Sequence, residues 1–145
     1  LLDISEILGS QQEFEDPFTG EKLIAVRAIE PDVAVLHAQQ ADEFGNTRIE
    51  GPKYEDVIKA KAAKTVIVTA EEIISSDEIR KTPEATSIPH FLVDAVVHAP
   101  NGAYPCSCFN RYDTDYEHIQ EYVAAVNSDQ FETYLEQYVH GGGAA

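Results

Sequence analysis

The sequence is short of basic residues and contains no methionine or tryptophan. Its 10 lysines and arginines stand against 26 aspartates and glutamates, which gives a formal net charge of −16. Because duplex binding depends on clustered basic side chains, this balance argues against a nucleic-acid partner. Two explanations of the acidity stay open, namely a surface suited to a salt-rich cytoplasm and a basic partner protein.

Long apolar runs and metal-binding motifs are missing as well. The apolar runs are about five residues long, far short of the ~20 that span a bilayer, so we expect no membrane segment. The N-terminus lacks the features of a secretory signal, which favours a cytoplasmic protein. Cys106 and Cys108 are interpreted as free thiols, because a disulfide across one residue is strained and a metal site needs more ligands at defined spacing.

The length of 145 residues is typical of one domain, and the 43% of hydrophobic residues is enough for a real core. We therefore predict a single α/β domain over residues 1–145. The first residue is not a methionine, and residues 140–145 resemble a flexible tail. Both features favour the interpretation that this sequence is a piece of a longer chain.

Two β-branched apolar runs, Val33–Ala38 and Thr65–Thr69, are closed by polar residues, a pattern typical of strands buried on both faces. A helix is predicted between them at Tyr54–Lys64, so the three elements form a βαβ unit with parallel strands. Other elements are predicted in chain order: a helix at residues 1–9, strands at 22–29 and 91–98, and helices within 114–139.

The best-placed polar group follows the first of these strands and comprises Gln39, Gln40, Asp42 and Asn46. Ligands of open α/β sheets bind beyond the carboxyl ends of the strands, which favours a binding role for this group. An ordinary turn at Gly45 and Asn46, with Asp42 bonded into it, explains the same residues. Both interpretations stay open.

Two further candidates follow the other predicted strands. Glu71 and Glu72 come after the second buried run, where a buried carboxylate can act as a nucleophile or base. The first turn of a helix also favours acidic residues, and it is the preferred interpretation. The loop Gly102–Cys108 is expected to offer free main-chain amides to a ligand, unless it is a plain connection, and its first part, Gly102–Pro105, provides the candidate contacts.

The segment PDVAVLHAQQADEFGNTRIEG at 31–51 resembles the second half of the alpha subunit of family I coenzyme A transferases. The resemblance extends to DPFTG at 16–20, to AKAAKTVIVTAEEII at 60–74, and to VDAVVHAPNGAYPCSC at 93–108, followed by Tyr112, Asp113 and Asp115. The V-V-x-A-P-x-G-A-x-P pattern of the last segment is most similar to the glutaconate CoA-transferase branch. That branch also contains CoA-ester hydrolases.

The resemblance implies an α/β fold with an open, mostly parallel Rossmann-like sheet flanked by helices and ending in a helical segment. It also implies a heteromeric enzyme of alpha and beta subunits that moves CoA between an acyl-CoA thioester and a carboxylic acid. The reaction passes through a glutamyl-CoA thioester. The G-G-F signature of the alpha subunit is absent, and the S-E-N-G segment with the nucleophilic glutamate belongs to the beta subunit, so no catalytic residue is assigned here.

This chain is then expected to form a wall of a site shared with the beta subunit, because attack on a thioester depends mainly on positioning and charge stabilisation. CoA is expected as a substrate, and no metal is expected. Two other functions stay open, a CoA-ester hydrolase of the same fold and a non-catalytic α/β interaction module. The candidate substrate-binding residues are Gln39, Asp42, Asn46, Gly102, Ala103 and Tyr104.

Overall fold

The computed structural model describes residues 11–140, and the chain divides into two compact units between Glu30 and Pro31. The predicted helix at residues 1–9 and the part of the predicted tail after residue 140 lie outside the described residues. Among the helices of the described part, none is long and apolar enough to cross a membrane.

The described part of the first unit is an antiparallel pair of strands, β1 (Gln11–Glu15) and β2 (Lys22–Val26). Asp16 closes the turn between them, since its Oδ1 accepts the main-chain N–H groups of Phe18 and Thr19 at 2.7 and 3.1 Å. β2 confirms the first part of the strand predicted at residues 22–29. β1 is not predicted by its sequence QQEFE, because four of its five residues are polar.

The second unit contains a four-stranded sheet in the order β4–β3–β5–β6. In this sheet β3 (Val33–Ala41), β5 (Thr65–Ile73) and β6 (Ala95–His98) run parallel, and the short β4 (Thr47–Arg48) is antiparallel to β3. The helix α1 (Asp56–Ala62) lies between β3 and β5 in the chain, so the predicted βαβ unit is confirmed.

The remaining elements are short helices that flank the sheet or follow it. The residues before β6 form a 3₁₀ helix, so this strand is shorter than the one predicted at residues 91–98. The predicted helical end of the chain is confirmed. The elements are α2 (Ser76–Lys81), 3₁₀ helices at Pro83–Ala85 and His90–Leu92, α3 (Tyr116–Val126), α4 (Phe131–Leu135) and a π-helical turn at Glu136–His140.

The core lies on one face of the sheet. Leu36 of β3 and Val68 of β5 are buried there, and Ala60 of α1 packs into the same cluster. The opposite face carries Val33 and Val35, which are 52% and 63% exposed. The prediction that these strands are buried on both faces is therefore wrong for the described residues, because α1 contributes its apolar side chains to one face alone.

Candidate functional site

The carboxyl ends of β3, β5 and β6 meet at one edge of the sheet, which is where open α/β sheets bind ligands. The strand β5 continues to Ile73, so Glu71 lies in the sheet, and its interpretation as part of a helical turn is wrong. The loop after β6 begins at the same edge, since the main-chain N–H of Ala99 donates to the carbonyl oxygen of Ala70 at 2.8 Å.

Glu71 lies at the centre of a polar cluster at this edge, with its side chain only 7% exposed. Its Oε1 accepts hydrogen bonds from His37 Nε2 at 2.8 Å and from the Tyr112 hydroxyl at 2.5 Å. Its Oε2 accepts the main-chain N–H of Asn101 at 2.7 Å. We call His37, Thr69, Glu71 and Tyr112 the Glu71 cluster.

The hydrogen-bond donors around Glu71 keep its carboxyl group ionised. Burial alone would raise the pKa of Glu71, but the hydrogen bonds from Tyr112, His37 and Asn101 bring that pKa below its usual value. Burial and the bond to the Glu71 carboxylate raise the pKa of Tyr112 to about 12. The Tyr112 hydroxyl therefore stays protonated and donates a hydrogen bond to the Glu71 carboxylate.

His37 connects the two central strands to the loop after β6. Its Nδ1 lies 2.8 Å from the hydroxyl oxygen of Thr69, its register partner on β5. A Cβ atom at Gly102 would lie 2.7 Å from His37 Cε1 and 2.8 Å from the carbonyl oxygen of Ala99. Glycine is required at this position because the loop backbone and the imidazole ring leave no room for a side chain.

The main-chain amides of the loop at residues 101–105 are already used within the protein. Asn101 and Ala103 donate to the Glu71 cluster at 2.7 and 2.9 Å. Gly102 and Tyr104 each donate to a main-chain carbonyl at 3.0 Å. The expectation of free amides is therefore wrong for residues 102–104, because tight turns and the Glu71 cluster satisfy each of their N–H groups.

Asp42 and Asn46 form a closed turn beyond β3. The Asp42 side chain is fully buried and accepts four hydrogen bonds. Burial alone would raise the pKa of Asp42, but these bonds bring the pKa below its usual value. The structure therefore favours the turn interpretation of this pair. The donors are the main-chain N–H of Phe44, the main-chain and side-chain N–H groups of Asn46, and the Ser76 hydroxyl.

Gln39 and Gln40 also make contacts within the protein. Gln39 is buried, donates to the carbonyl oxygen of Phe109 at 3.2 Å and accepts the main-chain N–H of Glu50 at 3.0 Å. Gln40 donates to Glu72 Oε2 at 2.9 Å. Gln39 thus joins the sheet edge to two flanking segments, and nothing in these contacts points to a ligand.

A cavity of about 940 Å³ lies beside the loop after β6. Its wall includes Asn101, Tyr104 and Tyr112 together with His118 and Tyr138 from the helical end of the chain. The ring centroids of Tyr104 and Tyr138 lie 5.1 and 4.7 Å from that of His118. Aromatic walls with a few polar groups are typical of ligand sites, and Tyr104 is the one predicted site residue in this wall.

The polar groups in the cavity wall are mostly hydrogen-bond acceptors. Three tyrosines of the wall already use their hydroxyl groups as hydrogen-bond donors to carboxylates of the protein, namely Tyr104, Tyr112 and Tyr138. Asp113 and Asp115 add two carboxylates, and the described residues that form the wall include no lysine or arginine. The cavity therefore suits a neutral group that donates hydrogen bonds better than a phosphate or a carboxylate.

One group of side chains has the composition of a metal site. Candidate ligand atoms of His37, Glu71 and Cys108 all lie within 4.8 Å of one another. These side-chain types bind zinc, but His37 and Glu71 are hydrogen-bonded to each other, so an ion would have to replace that proton. Burial and the negative charge of Glu71 raise the pKa of the Cys108 thiol, which favours the protonated form.

Sequence reasoning names Glu71 but misses its partners His37, Thr69 and Tyr112. A signal for two of them is present, because side chains alternate along a strand. In the parallel register of β3 and β5, His37 pairs with Thr69, and Glu71 follows two residues later on the same face. Tyr112 carries no such signal, since it comes from a loop 41 residues away from Glu71.

The sequence model of the family described as Coenzyme A transferase matches residues 10–99. The alpha subunit of glutaconate CoA-transferase from Acidaminococcus fermentans is 45% identical over 127 residues, which cover 86% of this chain and 40% of that one. The crystal structure of glutaconate coenzyme A-transferase from that organism matches with a TM-score of 0.82 and 43% identity, covering 88% of this chain and 41% of that chain.

Relatives named for other activities share the same fold. The crystal structure of a variant of the decarboxylase AibA/AibB matches with a TM-score of 0.76 and 40% identity, covering 90% of this chain and 47% of that chain. The cholesterol ring-cleaving hydrolase IpdA subunit from Mycobacterium tuberculosis is 32% identical over 124 residues, which cover 83% of this chain and 41% of that one.

The chain thus spans less than half the length of each of these relatives. The family match covers more than half of this chain and includes β3, β5 and β6, whose carboxyl ends carry the Glu71 cluster. The chain belongs to the coenzyme A transferase family.

Proposed function

We propose that this chain is part of the alpha subunit of a CoA-transferase, an enzyme that moves CoA between an acyl-CoA thioester and a carboxylic acid. The observation that carries the proposal is the 45% identity to the alpha subunit of glutaconate CoA-transferase over 86% of the chain. In this proposal a beta subunit provides the nucleophilic glutamate, and the described residues form a wall of the shared site.

The state of the two glutamates at the sheet edge supports this division of roles. A carboxylate that attacks a thioester must have an oxygen free to reach the carbonyl carbon. The oxygens of Glu71 already accept three hydrogen bonds in a buried position. Glu72 accepts hydrogen bonds from Gln40 and Arg111. Both carboxylates are therefore held in place by partners within the chain.

The cavity wall favours contact with one part of the CoA ester. CoA carries anionic phosphates at one end and an uncharged pantetheine arm with two amide N–H groups next to the thioester. The carboxylates of Asp113 and Asp115 repel phosphates but accept hydrogen bonds from amides. We therefore assign the cavity to the neutral part of the acyl-CoA, with Tyr104 as a contact, and assign the phosphates to a surface elsewhere in the complex.

The uncovered face of the sheet supports a larger protein. Parallel sheets occur almost only with both faces covered, yet Val33 and Val35 are more than half exposed here. We propose that the described α/β unit is one part of a longer alpha subunit, of which another part covers these valines.

The two cysteines are free thiols, in keeping with a reducing cytoplasm as the place of action.

A CoA-ester hydrolase is the second candidate, because the chain is 32% identical to the IpdA subunit, whose name describes a hydrolase. In that reaction water replaces the carboxylic acid as the acceptor. A non-catalytic interaction module is the third candidate, and it would bind no CoA ester.

The experiment is product analysis with the complete protein that contains this chain, mixed with its beta subunit. The transferase proposal predicts that CoA moves from a labelled acyl-CoA to a second carboxylic acid and that turnover requires this acceptor. Release of free CoA at the same rate without an acceptor would contradict transfer and support hydrolysis. Absence of acyl-CoA binding in calorimetry would contradict both and leave the interaction module.

A further inference from the structure

We propose that Glu71 is a positioning residue that holds two residues of the cavity wall in the geometry that binds the acyl-CoA. The inference rests on the proposed function, because it assigns the cavity to that substrate. Glu71 is not part of the cavity wall, whereas Asn101 and Tyr112 are. It therefore acts on the cavity through these two residues.

Each wall residue is bonded to a different oxygen of the Glu71 carboxylate. Oε2 accepts the main-chain N–H of Asn101 at 2.7 Å, and Oε1 accepts the Tyr112 hydroxyl at 2.5 Å. The Tyr112 oxygen in turn accepts the main-chain N–H of Ala103 at 2.9 Å. Glu71 thus holds the loop at two points, directly at Asn101 and through Tyr112 at Ala103.

The bond from Asn101 fixes the loop at a residue with an unusual backbone conformation. Asn101 has a φ of 58°, in the left-handed region that residues other than glycine seldom adopt. Such a conformation persists when the surrounding contacts fix it. Because Glu71 accepts the N–H of Asn101, loss of this bond removes a contact that fixes the loop at its left-handed residue.

An ionised carboxylate suits the role, and an amide of the same size does not. The carboxylate accepts three hydrogen bonds here, from His37, Asn101 and Tyr112. A glutamine offers one oxygen and an NH₂ group. In one orientation its NH₂ meets the main-chain N–H of Asn101, a fixed donor, and in the other it faces the Tyr112 hydroxyl and His37 Nε2, which must then accept instead of donate. The substitution Glu71→Gln therefore keeps the volume but removes the charge and weakens the hold on Asn101 or on Tyr112.

The neighbouring Glu72 provides a matched control. It lies on the same strand, is exposed, and bonds to Gln40 and Arg111, neither of which forms part of the cavity wall. The substitution Glu72→Gln makes the same chemical change one residue away. It is expected to leave hydrogen exchange in the loop and the KM for acyl-CoA unchanged.

The test uses the complete protein together with its beta subunit, and compares wild type, Glu71→Gln and Glu72→Gln. The expected result for Glu71→Gln is faster hydrogen exchange at the Asn101 and Ala103 amides. A KM for acyl-CoA raised about tenfold or more is also expected, the size of one lost charged hydrogen bond. Adding Tyr112→Phe to Glu71→Gln is expected to raise the KM little further, because both changes break the same connection.

An unchanged KM and unchanged loop exchange in Glu71→Gln would overturn the inference, and so would equal changes in Glu72→Gln. A lower unfolding temperature of Glu71→Gln with wild-type KM would also overturn it, because it would show a purely structural role. A wild-type complex without CoA transfer would instead contradict the proposed function. Hydrogen exchange at the Asn101 and Ala103 amides would still show whether Glu71 holds the loop in place.

Discussion

The Tyr112 hydroxyl donates a hydrogen bond to the Glu71 carboxylate, with an oxygen–oxygen distance of 2.5 Å. The two residues are 41 positions apart in the sequence. The bond joins the loop after β6 to the carboxyl end of β5. The same hydroxyl oxygen accepts the main-chain N–H of Ala103, so one phenol group satisfies two other polar groups. The geometry of this edge of the sheet therefore depends strongly on Tyr112.

Removing that hydroxyl group should destabilise the fold. The substitution Tyr112→Phe leaves the Ala103 N–H and one acceptor position on Glu71 unpaired in a half-buried place, at a cost of about 1–3 kcal/mol. Urea unfolding measures the free energy change. Tyr116→Phe, at an exposed tyrosine of α3, is the control and is expected to change little. Equal stability of both variants would contradict the structural role of Tyr112.

Adding a single methyl group to the loop should also destabilise it. In Gly102→Ala the new Cβ meets His37 Cε1 at 2.7 Å and the Ala99 carbonyl oxygen at 2.8 Å, so the loop or the imidazole must move. Overpacking of this kind costs about 1–3 kcal/mol, which thermal unfolding detects. In a His37→Ala background the penalty should fall, although the contact with Ala99 remains. A penalty that is the same in both backgrounds would show that His37 does not restrict the loop.

The buried carboxylate of Asp42 should make stability depend on pH in the acid range. Its folded-state pKa is lowered, so its contribution is present above the unfolded pKa of about 3.9 and is lost as pH falls through the folded pKa. The unfolding free energies of wild type and Asp42→Asn should therefore converge as the pH falls through this range. A gap for Asp42→Asn that stays constant with pH would contradict this assignment.

Arg48 should be replaceable by lysine only at a loss of stability. Its Nη2 donates to the carbonyl oxygen of Glu78 at 2.9 Å and to the Thr82 hydroxyl at 2.7 Å, at the end of α2. The second guanidinium nitrogen, Nη1, donates to the side-chain oxygen of Gln40 at 3.5 Å. The single nitrogen of a lysine cannot occupy the Nη1 and Nη2 positions together, so Arg48→Lys is expected to cost about 1–2 kcal/mol. Arg80→Lys, at an exposed position of α2, is the control for denaturant unfolding. Equal effects at both positions would contradict the capping role of Arg48.

Much of the central fold is predictable from local sequence. The β-branched runs that begin at Val33 and Thr65 predict β3 and β5, and the helical spacing between them predicts α1 and hence the parallel pairing. The boundaries are less predictable. The strand β5 extends through the charged Glu71 because the loop after β6 and Tyr112 compensate the buried carboxylate, which no local pattern shows.

The candidate site is less predictable than the fold, because its contacts are long-range. Three of the four donors to Asp42 are local and only the Ser76 hydroxyl is distant, so a turn explains most of its contacts. The amides of Asn101 and Ala103 instead donate to Glu71 and Tyr112, which the sequence does not place nearby. The alternation of side chains puts His37 and Thr69 on one face only once the register of β3 and β5 is known. Sequence spacing likewise does not bring Cys108 close to Glu71.

The location of the covalent intermediate tests the central claim most directly. The complete protein and its beta subunit would be incubated with an acyl-CoA and treated with borohydride or hydroxylamine, and mass spectrometry would locate the modified glutamate. We expect the modification on the beta subunit, with none on Glu71 or Glu72. A modified Glu71 or Glu72 would contradict the claim that this chain forms a wall of a site whose nucleophile comes from its partner.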